Sequence, residues 1–189
     1  MQSEELYYDH YKDTFEIQMG YLTERNRLML YLIVLVALIF LMGQNRGMLV
    51  DVSTALQEQN IGKVVVNFNI ISTILYFAFM WLALRYYQIN LTIERGYRYL
   101  DRCEKKLSES SNYRIDREGS NYLKNYPFLK WIAHRIYAYL FPLLVIVVSI
   151  VGICRECGNV QSYKTLNIIF LLLVVIMTVL YLADRINES

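Results

Sequence analysis

Cys154-Arg155-Glu156-Cys157 is the one Cys-x-x-Cys pair in the chain, and it follows a run of apolar residues. On an oxidising face such a pair forms or exchanges a disulfide. Relaying electrons onward takes a second pair, and only Cys103 remains. Cys154 and Cys157 therefore read as a static disulfide or as two ordinary thiols sooner than as a redox centre. They also fall short of the four ligands of a structural zinc site.

A second group is Asn69, Ser72, Thr73 and Tyr76, which share one face at helical spacing, with Gly62 and Ala83 roughly in line and Asn67 opposite. Small and hydroxyl residues inside an apolar helix serve as contact points between helices. The same residues would also line the wall of a water-filled oligomeric pore, and both readings stand. A third group is basic. Arg95, Arg98, Arg102 and Lys105, with Lys106, form a stripe beside the apolar stripe Ile93, Tyr97, Leu100 and Leu107. Acids Glu94, Asp101 and Glu104 lie between the two, the layout of an amphipathic helix. Glu94 with Arg98 and Asp101 with Lys105 are favourable pairs four residues apart, so part of the stripe is self-neutralised and solvated. For the remainder, anionic headgroups or the acidic N-terminal helix of the same or a neighbouring chain are the expected partners; nucleic acid is not.

Other catalytic signals are missing. There are two histidines, His10 and His134, and no Gly-rich phosphate loop, His-Glu-x-x-His or Gly-x-Ser-x-Gly. The apolar runs hold no charged residue, whereas ion-coupled transporters generally carry one. No catalytic residue, cofactor or metal is expected, and the chain is not expected to be an enzyme.

These groups must be positioned by what surrounds them. Hydrophobic residues make up 56% of the 189, only 19% are charged, and the mean hydropathy is +0.26. An ordinary soluble domain has roughly a quarter charged residues. The shortfall is local. Residues 28–42, 64–84, 137–154 and 166–182 carry no charge at all. A membrane-crossing helix needs about 20 apolar residues, range about 17–25. Three of the runs reach that range, and the first gains length if Arg25 and Arg27 reach back to the headgroups. The first run follows a 27-residue polar segment rather than a short basic stretch, so it reads as a span and not as a signal peptide. The expected fold is all-α: an integral membrane four-helix bundle of two hairpins with amphipathic cytoplasmic helices. A soluble enzyme, a secreted disulfide scaffold and a disordered chain are excluded by this composition.

Charge sets the expected topology. Of the 19 Lys and Arg, 15 fall in residues 1–27, 85–136 and the C-terminal tail, and four in the two short connections. The positive-inside rule then puts both termini in the cytoplasm. The expected order is a cytoplasmic amphipathic helix (1–27), a first transmembrane hairpin (28–84), a cytoplasmic basic helix, loop and interfacial helix (85–136), a second hairpin (137–183) and a tail (184–189). Residues 1–27 carry six acids against three bases and residues 85–136 eleven bases against six acids, so the two cytoplasmic pieces are complementary.

Within the N-terminal piece Ser3 is placed to N-cap a helix. Glu5, Asp9, Asp13 and Glu16 then share one face. No proline interrupts residues 85–108, so the second span is expected to continue into the cytoplasm as one helix. Residues 108–121 read as a loop. The aromatic segment Tyr122–Phe141 reads as an interfacial helix, with Pro142 at the start of the third span.

The stretch Arg117-Glu118-Gly119-Ser120-Asn121-Tyr122-Leu123-Lys124-Asn125-Tyr126-Pro127, with the aromatic run to Phe141-Pro142, resembles segments of small bacterial four-helix membrane proteins. The layout is similar to membrane effectors and accessory proteins of anti-phage systems, including those beside RNA-targeting CRISPR nucleases. That resemblance implies an inner-membrane protein that oligomerises and perturbs the membrane when a cytoplasmic partner signals; it carries no residue roles to this chain. The expected function is thus a homo-oligomeric membrane effector or channel-like assembly. The alternatives are a membrane-anchored adaptor that recruits a cytoplasmic protein through its basic helix, and, last, a membrane thiol oxidoreductase.

Overall fold

The structure, a computed structural model, describes residues 2–44, 68–110, 132, 135–158 and 163–187. Among the described residues the regular structure is all helical, with no strand. Helix α1 is Gln2–Gln44, α2 is Phe68–Ser110, α3 is Phe141–Cys157 and α4 is Lys164–Asn187. A π-helical turn, Ile136–Leu140, leads into α3. Each of the four helices is long and apolar enough to cross a membrane, over Leu6–Met42, Asn69–Glu109, Ile136–Cys157 and Lys164–Ile186. Ser3, expected as an N-cap, lies inside the first turn of α1, within the one- or two-residue slack of a helix end.

Two of these helices are 43 residues long. Neither contains proline, and α2 has a single glycine, Gly96. With no residue that removes a backbone donor, the helices run through the change from apolar to charged sequence without a break.

The chain packs as two units, Met1–Leu28 with Arg85–Phe141 and Met29–Leu84 with Pro142–Ser189. In the first, α1 and α2 are antiparallel. Gln18 Nε2 donates to the Ile93 carbonyl at 2.6 Å, the Tyr11 hydroxyl donates to Glu104 Oε1 at 2.9 Å, and Arg85 Nη2 lies 3.0 Å from Glu24 Oε1. The apolar stripe Ile93, Tyr97, Leu100 and Leu107 is buried, as are Tyr11 and Gln18 on the other helix.

The π-turn has a local cause. In such a turn a carbonyl accepts from the N–H five residues on, and Phe141 N–H does bond to Ile136 O. The next acceptor, Tyr137 O, would need the N–H of residue 142, which is proline and has none. The Tyr86 hydroxyl supplies the donor instead, at 2.8 Å. Tyr86→Phe should therefore lower stability by about 1–3 kcal/mol, because a shielded carbonyl loses its partner. Adding Pro142→Ala should recover much of that loss by returning the backbone donor. Thermal melts of the two single variants and the double variant, in detergent, check this.

The second unit is built from seams at alternating three- and four-residue spacing. They are Tyr76, Phe79 and Ala83 on α2, Val145, Ser149, Gly152 and Glu156 on α3, and Asn167, Leu171, Val174 and Thr178 on α4, all buried. A Cβ at Gly152 would stand 2.9 Å from Leu171 Cδ1 and 3.7 Å from Tyr76 Cε1, so this glycine lets the three helices approach.

Candidate functional site

Three sets of polar residues came from the sequence, and the fold treats each differently. Asn69, Ser72 and Thr73 are half-buried and Tyr76 is buried, at the start of α2 in the second unit. Thr73 Oγ1 donates to the Asn69 carbonyl at 2.9 Å, so this hydroxyl turns to its own helix. Tyr76 reaches toward Gly152 and Leu171. The polar face thus contributes at least one residue to packing within the chain. Gly62 and Asn67 lie outside the described residues.

Cys154 and Cys157 are exposed and not bonded to each other, and Cys103 is buried. The residue between the exposed pair behaves differently. Glu156 is 2% exposed and Asn167 fully buried, and Asn167 Nδ2 donates to Glu156 Oε2 at 3.2 Å. Lys164 Nζ caps the end of α3 by donating to the Cys157 carbonyl at 3.0 Å. Arg155 stacks over Phe40, 5.5 Å from its centroid. Glu156 and Asn167 were not singled out from the sequence as functional residues. The signal was present: Glu156 continues the seam spacing of Val145, Ser149 and Gly152.

The second unit buries several polar side chains within its apolar seams and leaves large aliphatic ones outside. Ser149, Glu156, Asn167 and Thr178 are inside, while Leu143, Val147, Ile150, Leu172, Ile176 and Leu180 are exposed. The Ser149 and Thr178 hydroxyls donate to the Val145 and Val174 carbonyls at 2.8 and 2.7 Å. Hydroxyls bonded to their own helix inside and large aliphatic groups outside are what a hydrocarbon solvent selects.

The basic stripe is exposed along its whole length: Arg95, Arg98, Arg102 and Lys105. Lys105 Nζ is engaged by Asp101 Oδ2 at 2.6 Å, and Arg102 lies over the Tyr99 ring at 5.7 Å. The N-terminal helix does dock on this segment of α2, with the apolar stripe and Gln18 buried between the two helices. Its own acids Asp9, Asp13 and Glu16 are exposed too. Burying apolar side chains is worth more than exposed ion pairs of about 0–1 kcal/mol, so the apolar faces choose the orientation.

In the aromatic segment, Arg25 lies over the Tyr137 ring at 4.1 Å and Arg135 over the Tyr139 ring at 5.3 Å. His134 and residues 117–127 are outside the described residues. Among the described residues no group of three or more His, Cys, Asp or Glu is placed to hold a metal ion. No family model, curated protein or solved structure matches the chain.

Proposed function

We propose that this is a non-enzymatic integral membrane protein that works as a homo-oligomeric effector or channel-like assembly. The observation that carries the membrane reading is the outside of the second unit, where large aliphatic side chains are exposed along helices long enough to span while Ser149, Glu156, Asn167 and Thr178 are buried. Residues 28–84 and 137–183 would form the two hairpins in the bilayer. The placing of 15 of the 19 Lys and Arg in residues 1–27, 85–136 and the C-terminal tail supports both termini in the cytoplasm, and the resemblance is the basis for a bacterial inner membrane. The resemblance around residues 117–127 is the basis for assigning the activity to anti-phage defence. The working surface of a pore would be the half-buried Asn69, Ser72 and Thr73 beside Tyr76.

The exposed basic stripe favours a second reading, a membrane-anchored adaptor whose helix recruits a cytoplasmic protein. Reconstitution separates the two. Purified protein in liposomes should pass ions, and Asn69→Leu or Thr73→Leu should lower the conductance several-fold. A defined multiple of the 22.4 kDa chain should be seen by detergent-corrected light scattering. A protein that stays monomeric in several detergents and leaves liposomes sealed overturns the assembly reading and leaves the adaptor.

A further inference from the structure

The two charged rows of the first unit have a geometric relation that neither helix shows alone. On α1, Asp9, Asp13 and Glu16 lie about 180° round the axis from the buried Tyr11 and Gln18, at 3.6 residues per turn. On α2, Arg95, Arg98 and Arg102 lie about 180° round from the buried Ile93, Tyr97 and Leu100. Since the buried stripes face each other, the acid row and the basic row point in opposite directions. The helix pair carries negative charge on one outer face and positive charge on the other.

The rows also share a register. Gln18 meets Ile93 and the helices are antiparallel. Counting outward from that contact, Glu16 stands level with Arg95, Asp13 with Arg98 and Asp9 with Arg102. Each acid has a base at its own height, on the far side of the pair. Lys12 flanks the acid row and Glu94 and Asp101 the basic one, while exposed Glu109 lies on the line of the basic row but seven residues beyond Arg102, past the height of Asp9.

We propose that the acid row on α1 of one copy docks on the basic row on α2 of the next, giving a head-to-tail contact between copies of this chain. The proposal rests on the homo-oligomeric reading above and specifies its interface. Copies related by rotation about the membrane normal keep the same depth. Asp9 of one copy therefore meets Arg102 of its neighbour, Asp13 meets Arg98 and Glu16 meets Arg95, with no axial shift. Anionic headgroups would account for the basic row only; a second copy accounts for both rows and for their matched heights. Such a contact joins two different surfaces, so it repeats around a ring when the rotation closes.

The test is charge reversal, read as mass by light scattering in an uncharged detergent. The chain with Asp9→Lys, Asp13→Lys and Glu16→Lys should lose the assembled species, and so should the chain with Arg95→Glu, Arg98→Glu and Arg102→Glu. Mixing the two should restore assembly, because each then offers the other a complementary face, and the chain with all six changes should assemble alone. Reversed chains that keep the wild-type mass overturn the proposal but leave the oligomer standing. So does a basic-row variant that assembles normally yet no longer binds vesicles rich in anionic lipid. A wild-type chain that is monomeric throughout removes the homo-oligomeric reading itself. Should the reversed chains misfold, salt decides on the wild type. Raising it from about 0.01 to about 1 M shortens the screening length from about 30 to about 3 Å. The assembly should dissociate, and a mass that does not change overturns the contact.

Discussion

Gly96→Leu is expected to undo the pairing of α1 with α2 in the first unit, lowering stability by about 2–5 kcal/mol. A Cβ at Gly96 would overlap the Gln18 amide, with Gln18 Cδ 2.8 Å and Nε2 3.1 Å away. Gln18 is 2% exposed and donates to Ile93 O, so displacing its amide disturbs a buried side chain and that bond. Two costs combine, the crowding of a packed interface and a buried amide without its acceptor. On an isolated helix the sign reverses, since leucine is a better helix former than glycine by roughly 1 kcal/mol. The substitution therefore separates tertiary from local control. Thermal unfolding in detergent should show a clear loss, and Gln18→Ala in the same chain should restore part of it. A rise in melting temperature for Gly96→Leu alone would mean that the close approach does not exist.

The second large effect belongs to the second unit. Asn167→Leu should cost about 3 kcal/mol, because Glu156 is left buried without the amide that donates to it. Glu156→Leu should cost a similar amount through the stranded Asn167 amide. The double variant with leucine at both positions should lie closer to wild type than either single variant, since replacing both partners removes the desolvation burden together with the bond. That burden is already visible: Asn167 Oδ1 is buried and has no hydrogen-bond partner. A four-chain denaturation series in detergent measures the coupling, and strictly additive losses would show that the pair does not interact.

The parts of this fold that were legible beforehand are those governed by one helix at a time. Charge-free runs locate the apolar helices because hydrocarbon tolerates so little else. The lack of proline lets α2 pass Arg85 unbroken. The spacing of Ile93, Tyr97, Leu100 and Leu107 marks the face that is buried, for 3.6 residues per turn fixes it without knowledge of a partner. What escaped depends on a second helix. Gly96 reads as a mere weak point until Gln18 is seen against it. Glu156 reads as a charge at a helix end until Asn167 meets it from α4. Complementary net charge between residues 1–27 and 85–136 invites the idea that the arginines hold the acidic helix. Between these helices Arg85 does pair with Glu24, but both are about half exposed and the pair is worth little.

The seat of Gln18 at Gly96 also restricts how the helix pair can move. Gly96 is the one position on α2 without a side chain, so the amide finds a notch at a single height. Sliding α1 along α2 by a turn in either direction would drive it against a side-chain-bearing position and lift the helices apart. The contact acts as a detent. Piston-like travel along the common axis costs the amide both its seat at Gly96 and its bond to Ile93 O.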